Sequence, residues 1–307
     1  MSKPKHPHWI SLQGQIQPLP TGFKYLPTPV GAPTTAPTTT SIPYCFAKSD
    51  VWFTSGTIAY KVKLNAKEDT AQIVLNHPAN NQIFVGLGGA GAYTIVRWEN
   101  SQWTPINVAG TFDILNLEKS YKVEIRVSGS QVSLFVNGVE ACNAANATVQ
   151  KSQLAMFVRS QAPIDITDVT IVAQRPKAFV VMQFTEVFNA LFKEVIKPVC
   201  EEYGYDCIRA DNIYTNELII NDVIRSIKDA AIVIADITPN NPNVFYEVGF
   251  SHALGKETIL LSDRERDDKL PFDVSGFRTL FYDNTIGGKP VVEERLRAHL
   301  KAINTIP

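Results

Sequence analysis

The chain has 307 residues, a formal net charge of −1 at neutral pH and 45% hydrophobic residues. This length predicts two domains, and the hydrophobic fraction is large enough for each domain to bury an ordinary core. The near-zero charge argues against a protein that binds nucleic acid or another polyanion through bulk electrostatic attraction.

The four cysteines have neither C-x-x-C spacing nor the spacing of a zinc site; they are Cys45, Cys142, Cys200 and Cys207. We therefore predict reduced, buried thiols and no bound metal. The first residues lack the apolar segment of a signal peptide, and no apolar run approaches the roughly 18 residues that a membrane span needs. Together these features predict a cytoplasmic protein with no membrane partner.

The N-terminal half begins with a segment that is difficult to place. Residues 27–43 are rich in proline and threonine, which predicts an extended or mobile linker, or a strap across a sheet. From residue 51 to residue 172, short alternating apolar and polar runs are separated by turn residues. Asn137-Gly138 is typical of a type I′ hairpin. We therefore predict an all-β sandwich or jelly roll over residues 1–173.

Residues 121–140, YKVEIRVSGSQVSLFVNGVE, resemble the concanavalin A-like, laminin-G-like jelly rolls. Members of that group bind sugars, bind proteins or hydrolyse glycans. Hydrolysis needs two facing carboxylates, and the acidic residues of this half show no paired spacing. A carbohydrate or protein ligand is therefore favoured over a glycosidase activity. Trp98 and Trp103 are candidates for stacking on a sugar ring, although a place in the core or rim of the sandwich accounts for them equally well.

The sequence pattern changes after residue 177. Apolar runs of strand length alternate with helical patterns, which predicts an α/β domain over residues 177–307 with a parallel sheet and right-handed crossovers. The five predicted strands lie at residues 178–184, 205–209, 231–235, 258–261 and 279–282. A flavodoxin-like strand order of 2-1-3-4-5 places the ligand-binding switch point between the first and third strands.

Glu247 is the most suggestive residue of this half. It follows the third strand and the polar loop 238–243, and we place it in the first turn of a helix that Gly255 ends. A first-turn position favours an ionised carboxylate through the helix dipole. A preorganised carboxylate stabilises, or attacks, the ribosyl anomeric carbon as an N-glycosidic bond breaks.

Residues 221–236 and 241–256, NDVIRSIKDAAIVIAD and NPNVFYEVGFSHALGK, resemble the nucleoside 2-deoxyribosyltransferase and TIR-like (Toll/interleukin-1 receptor-like) superfamily. The resemblance implies that Glu247 is the catalytic carboxylate and that Asp222 holds the ribose or orients Glu247. A solvated Glu247 and a purely structural pairing of Asp222 with Arg225 remain the plainer interpretations. The residues that we predict to contact the substrate are Asp222, Asp211, Arg209, Gln183, Phe184, Asp236, Asn243 and Tyr246.

The loop before Glu247 narrows the choice of substrate. The transferases usually carry another acid there, whereas residues 238–243 contain none. A neutral purine leaves poorly unless an acid protonates it, but the nicotinamide of NAD is already cationic and leaves as a neutral molecule. We therefore predict an NAD glycohydrolase with NAD as its substrate and no other cofactor. The resemblance further implies a homo-oligomeric bacterial antiviral defence effector, in which the sandwich senses a signal or mediates assembly.

Two other functions stay open for the C-terminal half. A non-catalytic nucleotide-binding sensor fits the missing loop acid and the presence of Gln183. A nucleoside or nucleotide N-ribosyl hydrolase or transferase becomes the better description if Asp211 or Asp236 takes the place of that acid. A lectin-like adhesin is disfavoured because the chain is predicted to be cytoplasmic.

Overall fold

The computed structural model describes residues 6–27, 42–145, 147–210, 219–264 and 276–305. The chain divides into two compact units, residues 1–127 with 131–174 and residues 128–130 with 175–307. Most of the proline- and threonine-rich segment 27–43 lies outside the described residues. Within the described part of the chain, no helix is long and apolar enough to cross a membrane.

In its described residues, the first unit contains fourteen strands and one short 3₁₀ helix, Phe112–Ile114. The strands are β1 (Trp9–Gln13), β2 (Gln15–Leu19), β3 (Gly22–Leu26), β4 (Tyr44–Phe53), β5 (Ser55–Val62), β6 (Thr70–Leu75), β7 (Asn81–Leu87), β8 (Tyr93–Glu99), β9 (Gln102–Ala109), β10 (Tyr121–Ser128), β11 (Gln131–Val136), β12 (Val139–Ala144), β13 (Ser152–Arg159) and β14 (Ile164–Gln174). They form two antiparallel sheets, ordered β1-β4-β13-β6-β7-β8-β9 and β12-β11-β10-β5-β14-β3-β2. The two sheets make a sandwich that is consistent with a jelly roll.

Alternation along the strands explains how the sandwich buries its core. In β10, Val123, Ile125 and Val127 are buried, whereas the neighbouring Lys122 and Arg126 are exposed. Successive side chains of a strand point to opposite faces, so one face of each sheet enters the shared apolar core. The hairpin prediction at residues 137–138 is confirmed, because both residues have positive φ, 52° and 85°, as a type I′ turn requires.

The first 26 residues show where the sequence pattern was too weak to read. The strand β1 pairs with β4 at the edge of one sheet, and the β2–β3 hairpin pairs with β14 at the edge of the other. The strand β2, Gln-Ile-Gln-Pro-Leu, is mostly exposed and contributes little apolar surface. Its conformation therefore depends on backbone pairing with β3, which a single sequence does not reveal.

The second unit contains a five-stranded sheet flanked by helices. Its elements are β15 (Lys177–Val181), α1 (Glu186–Leu191), a π-helical segment (Phe192–Ile196), α2 (Lys197–Glu202), β16 (Asp206–Arg209), α3 (Ile219–Asp229), β17 (Ala230–Asp236), α4 (Pro242–Ala253), β18 (Glu257–Asp263), β19 (Thr279–Tyr282) and α5 (Gly288–Thr305). All strand pairs are parallel, and the order is β16-β15-β17-β18-β19. This is the predicted 2-1-3-4-5 order, in a separate sheet that is compatible with an α/β fold.

Helices cover both faces of this sheet. The helices α1, α2 and α5 pack on one face with Ile232 and Ile234 of β17, and α3 and α4 pack on the other with Val233 and Ala235. The central strand is therefore buried on both sides, which is why its sequence is an unbroken apolar run. This layering leaves the carboxyl ends of the strands as the place where polar loops and helix starts meet.

Candidate functional site

A cavity of about 630 Å³ opens at the carboxyl end of β15 and beside the start of α4, the helix that follows β17, on the face covered by α3 and α4. Its walls come from the end of β15 and the residues that follow it, from α3 and from the first half of α4. The chain leaves β15 towards one face of the sheet and leaves β17 towards the other, so a crevice forms between them. A volume of this size is sufficient for a small-molecule ligand.

Local signals at both ends set the position of α4. Asn241 is the N-cap, and its side-chain oxygen accepts a hydrogen bond of 2.9 Å from the backbone N–H of Asn243. Pro242 occupies the first helical position, where its missing N–H costs nothing. At the other end Gly255 has φ +62° and donates its N–H to the carbonyl of His252, which ends the helix as predicted.

The start of α4 corrects one prediction about Glu247. Because the helix begins at Pro242, Glu247 is its sixth residue and lies in the second turn, and the first turn contains no acidic residue. The free N–H groups of the helix start therefore do not reach this side chain, and the dipole effect falls off within the first turn. The expectation that the helix end favours the ionised carboxylate was wrong.

Burial dominates the electrostatics of Glu247 instead. The side chain is half-buried at the cavity wall, and loss of hydration raises its pKa to about 7. No described residue forms an ion pair or a hydrogen bond with its carboxylate. Burying a carboxylate without a partner lowers stability, and such groups are found preferentially at functional sites.

Four other predicted site residues line the same cavity as Glu247. Gln183 and Phe184 follow β15, and Asn243 and Tyr246 lie on α4. The two aromatic side chains are more than half exposed, Phe184 by 56% and Tyr246 by 53%. The cavity therefore offers ring surfaces and amide groups around a single acid, since Glu247 is the only charged residue among the described residues that line it.

Arg209 lies elsewhere. Its side chain is buried, with the guanidinium carbon 4.6 Å from the centroid of the Phe192 ring and 5.2 Å from that of Phe184. These contacts hold it on the α1–α2 side of the sheet. It touches two cavity-lining residues, Phe184 and Met182, and a guanidinium nitrogen donates to the Met182 sulfur at 3.8 Å. Asp211, the neighbouring predicted contact, lies outside the described residues.

Asp236 is part of a buried polar cluster and is not one of the described cavity-lining residues. The hydroxyl of Tyr282 donates a 2.6 Å hydrogen bond to one carboxylate oxygen, and the N–H of Thr238 donates to the other at 3.0 Å. Burial raises the pKa of Asp236 to about 7, although these two donors oppose the shift. Its hydrogen bonds tie the end of β17 to β19, which is a structural role.

Asp222 on α3 is buried and does not line the described part of the cavity. Its carboxylate lies 3.8 Å from a terminal nitrogen of Arg225, one turn further along the helix. This is the pairing that the plainer interpretation of Asp222 anticipated. The neighbouring residue, Val223, does face the cavity.

Sequence reasoning missed part of the cavity wall. Ile220 lines the cavity with a 44% exposed side chain, but it was not among the residues predicted to contact the substrate. An apolar residue at an exposed helical position was the available signal. That signal could be assigned to a cavity wall only once α3 and α4 were known to flank the same crevice.

No protein-family model matches the chain, and no curated protein matches it in sequence. Among solved structures, the carbohydrate binding module CBM66 from Bacillus subtilis matches 53% of this chain and 95% of its own, with 12% identity and a TM-score of 0.42. A Bacillus licheniformis beta-glucanase matches 57% of this chain and 95% of its own, with 8% identity and a TM-score of 0.39. The TIR domain of the Toll-related receptor TRR-2 from Hydra magnipapillata matches 40% of this chain and 97% of its own, with 12% identity and a TM-score of 0.33. Each of these three matches covers only part of the chain, at 12% identity or less.

Proposed function

We propose that the α/β unit is a TIR-like domain that cleaves the N-glycosidic bond between nicotinamide and ribose in NAD, with Glu247 as the catalytic carboxylate. In this reaction the C–N bond breaks, nicotinamide leaves with the bonding electron pair, and water adds to the anomeric carbon with loss of a proton. The products are nicotinamide and ADP-ribose. Glu247 stabilises the positive charge that develops on the ribose.

One observation carries this proposal. The carboxylate of Glu247 lines a cavity at the switch point of a parallel sheet, and no described residue neutralises it. An unpaired, partly dehydrated carboxylate interacts more strongly with a developing cation than a solvated one does. Phe184 and Tyr246 at the cavity mouth are suited to packing against the planar nicotinamide.

The composition of the cavity supports NAD over a neutral nucleoside. A neutral base needs a proton from a general acid as it leaves, and the described lining contains no acid besides Glu247. Nicotinamide needs no such proton, because its ring nitrogen is already quaternary in NAD. A single carboxylate is therefore sufficient for the charge that develops.

A second candidate function rests on the pKa of Glu247. Since burial raises this pKa to about 7, Glu247 is protonated in a substantial fraction of the protein molecules at neutral pH. A protonated carboxyl can donate to a departing purine or pyrimidine, as the general acid of a nucleoside or nucleotide N-ribosyl hydrolase or transferase does. The two functions differ in substrate and in their dependence on pH.

The test is to incubate the full chain with NAD and, in parallel, with a panel of nucleosides and deoxynucleosides, following the released base by chromatography. We expect nicotinamide release by the wild-type protein, and loss of at least about a hundredfold in rate for Glu247→Gln, because removing a charge-stabilising group typically has that effect. Glutamine keeps the size and shape of the side chain, so the cavity wall is preserved.

The matched control is Glu294→Gln, which removes an exposed carboxylate from α5, on the opposite face of the sheet. This variant should release nicotinamide at the wild-type rate. Undiminished turnover by Glu247→Gln would refute the assignment of Glu247. Release of base from nucleosides but not from NAD would favour the second candidate, and tight nucleotide binding with no turnover of any substrate would show a sensor.

A further inference from the structure

The sandwich unit carries a cavity of its own, on the outer face of its β1-β4-β13-β6-β7-β8-β9 sheet. In β13, Met156 and Val158 point into the main core, whereas Phe157 and Arg159 point to the opposite side and line this cavity. The cavity has a volume of about 630 Å³. A smaller pocket of about 270 Å³ adjoins it and shares Trp103, Phe157 and Arg159 as lining residues. We call the two together the outer-face cleft.

Aromatic rings form the floor of the outer-face cleft. The centroid of the Trp103 ring lies 4.7 Å from that of Phe84 and 4.8 Å from that of Trp98. Phe157 packs against Phe84 in turn, with centroids 5.9 Å apart. These contacts hold Trp103 in place while leaving it 53% exposed. The cleft thus presents a fixed indole surface, and its orientation costs no further entropy when a flat ligand face binds.

Polar groups in the same cleft have unused hydrogen-bonding capacity. The hydroxyl oxygen of Thr70, a residue only 1% exposed, is buried at the wall of the smaller pocket with no hydrogen-bond partner in the described structure. The Nε atom of Arg159 and the Nδ1 atom of His77 are likewise buried and unpartnered at the atoms named. Each such group costs about 1–3 kcal/mol when left unsatisfied, so three in one cleft call for a partner.

The chemistry of these two features restricts the ligand. A lipid chain would cover the indole but leave the three polar atoms unsatisfied. A pyranose ring has an apolar C–H face that stacks on indole and hydroxyl groups around its edge that both donate and accept hydrogen bonds. The ring nitrogen of His77 suits such a group, because burial lowers its pKa and keeps the imidazole neutral near pH 7.

We propose that the outer-face cleft binds a carbohydrate, with a sugar ring stacked on Trp103 and hydroxyl groups hydrogen-bonded to Thr70, His77 and Arg159. The cleft binds the sugar without cleaving it. Glycoside hydrolysis requires two carboxyl groups on either side of the bond, and neither aspartate nor glutamate occurs among the described residues that line the cleft. This site is independent of the chemistry proposed for Glu247.

The test uses affinity electrophoresis and calorimetry of the full chain with soluble polysaccharides. Lichenan and laminarin serve as neutral probes, and polygalacturonate and hyaluronan as acidic ones. We expect binding to at least one probe and a loss of roughly tenfold or more in affinity for Trp103→Ala, because the stacking surface is removed. A stronger loss for Arg159→Gln on acidic probes than on neutral ones would assign the guanidinium to a sugar carboxylate, and equal losses would assign it to a hydroxyl.

Trp52→Ala is the matched control. Trp52 is 57% exposed on β4 of the same sheet, yet it does not line the cleft in the described structure, so its removal should leave affinity unchanged. Thr70→Val gives a second readout. It removes an unsatisfied hydroxyl at nearly constant shape, so the melting temperature should hold or rise while sugar affinity falls.

Three outcomes would overturn the proposal. The first is that neither class of polysaccharide binds the wild-type protein. The second is that Trp52→Ala weakens binding as much as Trp103→Ala, which would mean that exposed tryptophan alone causes retention. The third is release of reducing ends during incubation, which would show cleavage. The Glu247→Gln variant should bind the polysaccharide with wild-type affinity. This result would show that sugar binding does not depend on the residue proposed to catalyse NAD cleavage.

Discussion

At the scale of single residues, Glu247 shows how position changes the chemistry of a carboxyl group. Three or four residues earlier in the chain, the carboxylate would lie near the free N–H groups of the helix start, which stabilise a negative charge. In the second turn of α4 it loses hydration without gaining a donor among the described residues, and its pKa rises to about 7. The same side chain can therefore serve as a charge stabiliser or as an acid, depending on pH.

This dependence gives a prediction for the rate. If Glu247 acts as the ionised carboxylate, kcat/KM for NAD cleavage should rise with pH and level off above about 7, where the group in the free protein has lost its proton. The measurement is the initial rate of nicotinamide release at subsaturating NAD across a series of buffers at constant ionic strength. A rate that instead falls above this pKa would show that the protonated form is active, and would move the assignment to the general acid of a nucleoside-cleaving enzyme.

Asp236 and Arg209 show that a position at the ligand-binding edge does not by itself place a side chain in the cavity. Both were predicted to contact substrate because they end parallel strands at the ligand-binding edge. The structure gives each of them a buried structural environment, with Tyr282 and Thr238 hydrogen-bonded to Asp236, and Phe192 stacked on Arg209. The position of a residue at the end of a strand shows that it lies at that edge of the sheet. Successive side chains point to opposite faces, so the face of the sheet on which a side chain lies depends on where the strand begins and ends.

At the scale of elements, α4 helps to shape the candidate site, and two glycines, one inside the helix and one beyond its end, require different backbone conformations. Gly249 lies inside the helix, and an added Cβ would meet no heavy atom within 4 Å. Gly255 lies beyond the end of the helix with φ +62°, and there too an added Cβ would meet nothing within 4 Å. The two positions therefore differ only in the backbone conformation that they require.

We expect Gly249→Ala to stabilise the protein by up to about 1 kcal/mol, because alanine favours the helical backbone and nothing obstructs the methyl group. Gly255→Ala should destabilise it by about 1 kcal/mol, because a left-handed backbone strains any residue with a Cβ. Equilibrium urea unfolding of the two variants provides the measurement, and each serves as the control for the other. Shifts of the same sign in both variants would contradict this account of the helix end.

At the scale of the whole molecule, the chain combines two units with different kinds of cavity. The sandwich cleft is lined by aromatic rings and unpartnered polar atoms, and the α/β cavity surrounds one carboxyl group. We propose that recognition in the first unit controls nucleotide cleavage in the second. Addition of a bound polysaccharide to the NAD assay is the direct way to detect such control.

The charge of the α/β cavity leads to a prediction about assembly. The diphosphate of NAD carries two negative charges, whereas the described lining offers no lysine or arginine. Residues outside the described part of the chain or a second copy of the protein can supply balancing groups. We expect the second, so the rate of nicotinamide release per protomer should rise with protein concentration, in parallel with oligomer formation measured by light scattering. A rate per protomer that stays constant while the oligomeric state changes would contradict this expectation.

The sequence by itself determined the kinds of structure and singled out Glu247, the residue that we propose to be catalytic. Hydrophobic alternation with a period of two predicted the sandwich strands around residues 121–136, and apolar runs between helical patterns predicted the parallel sheet and its strand order. These properties are local, since each strand or helix must present its own apolar face to a core. The polar loop after the third strand and Glu247 in the helix that follows it were readable for the same reason.

Only the tertiary structure decided what surrounds those residues. The depth at which Glu247 is buried, the face to which Arg209 points and the wall contributed by Ile220 all depend on neighbouring elements. The outer-face cleft depends on pairing still more, because β4, β13, β7 and β9 bring its aromatic rings together from positions far apart in the chain. Strand pairing and desolvation are sums over distant residues, so no single stretch of sequence contains them.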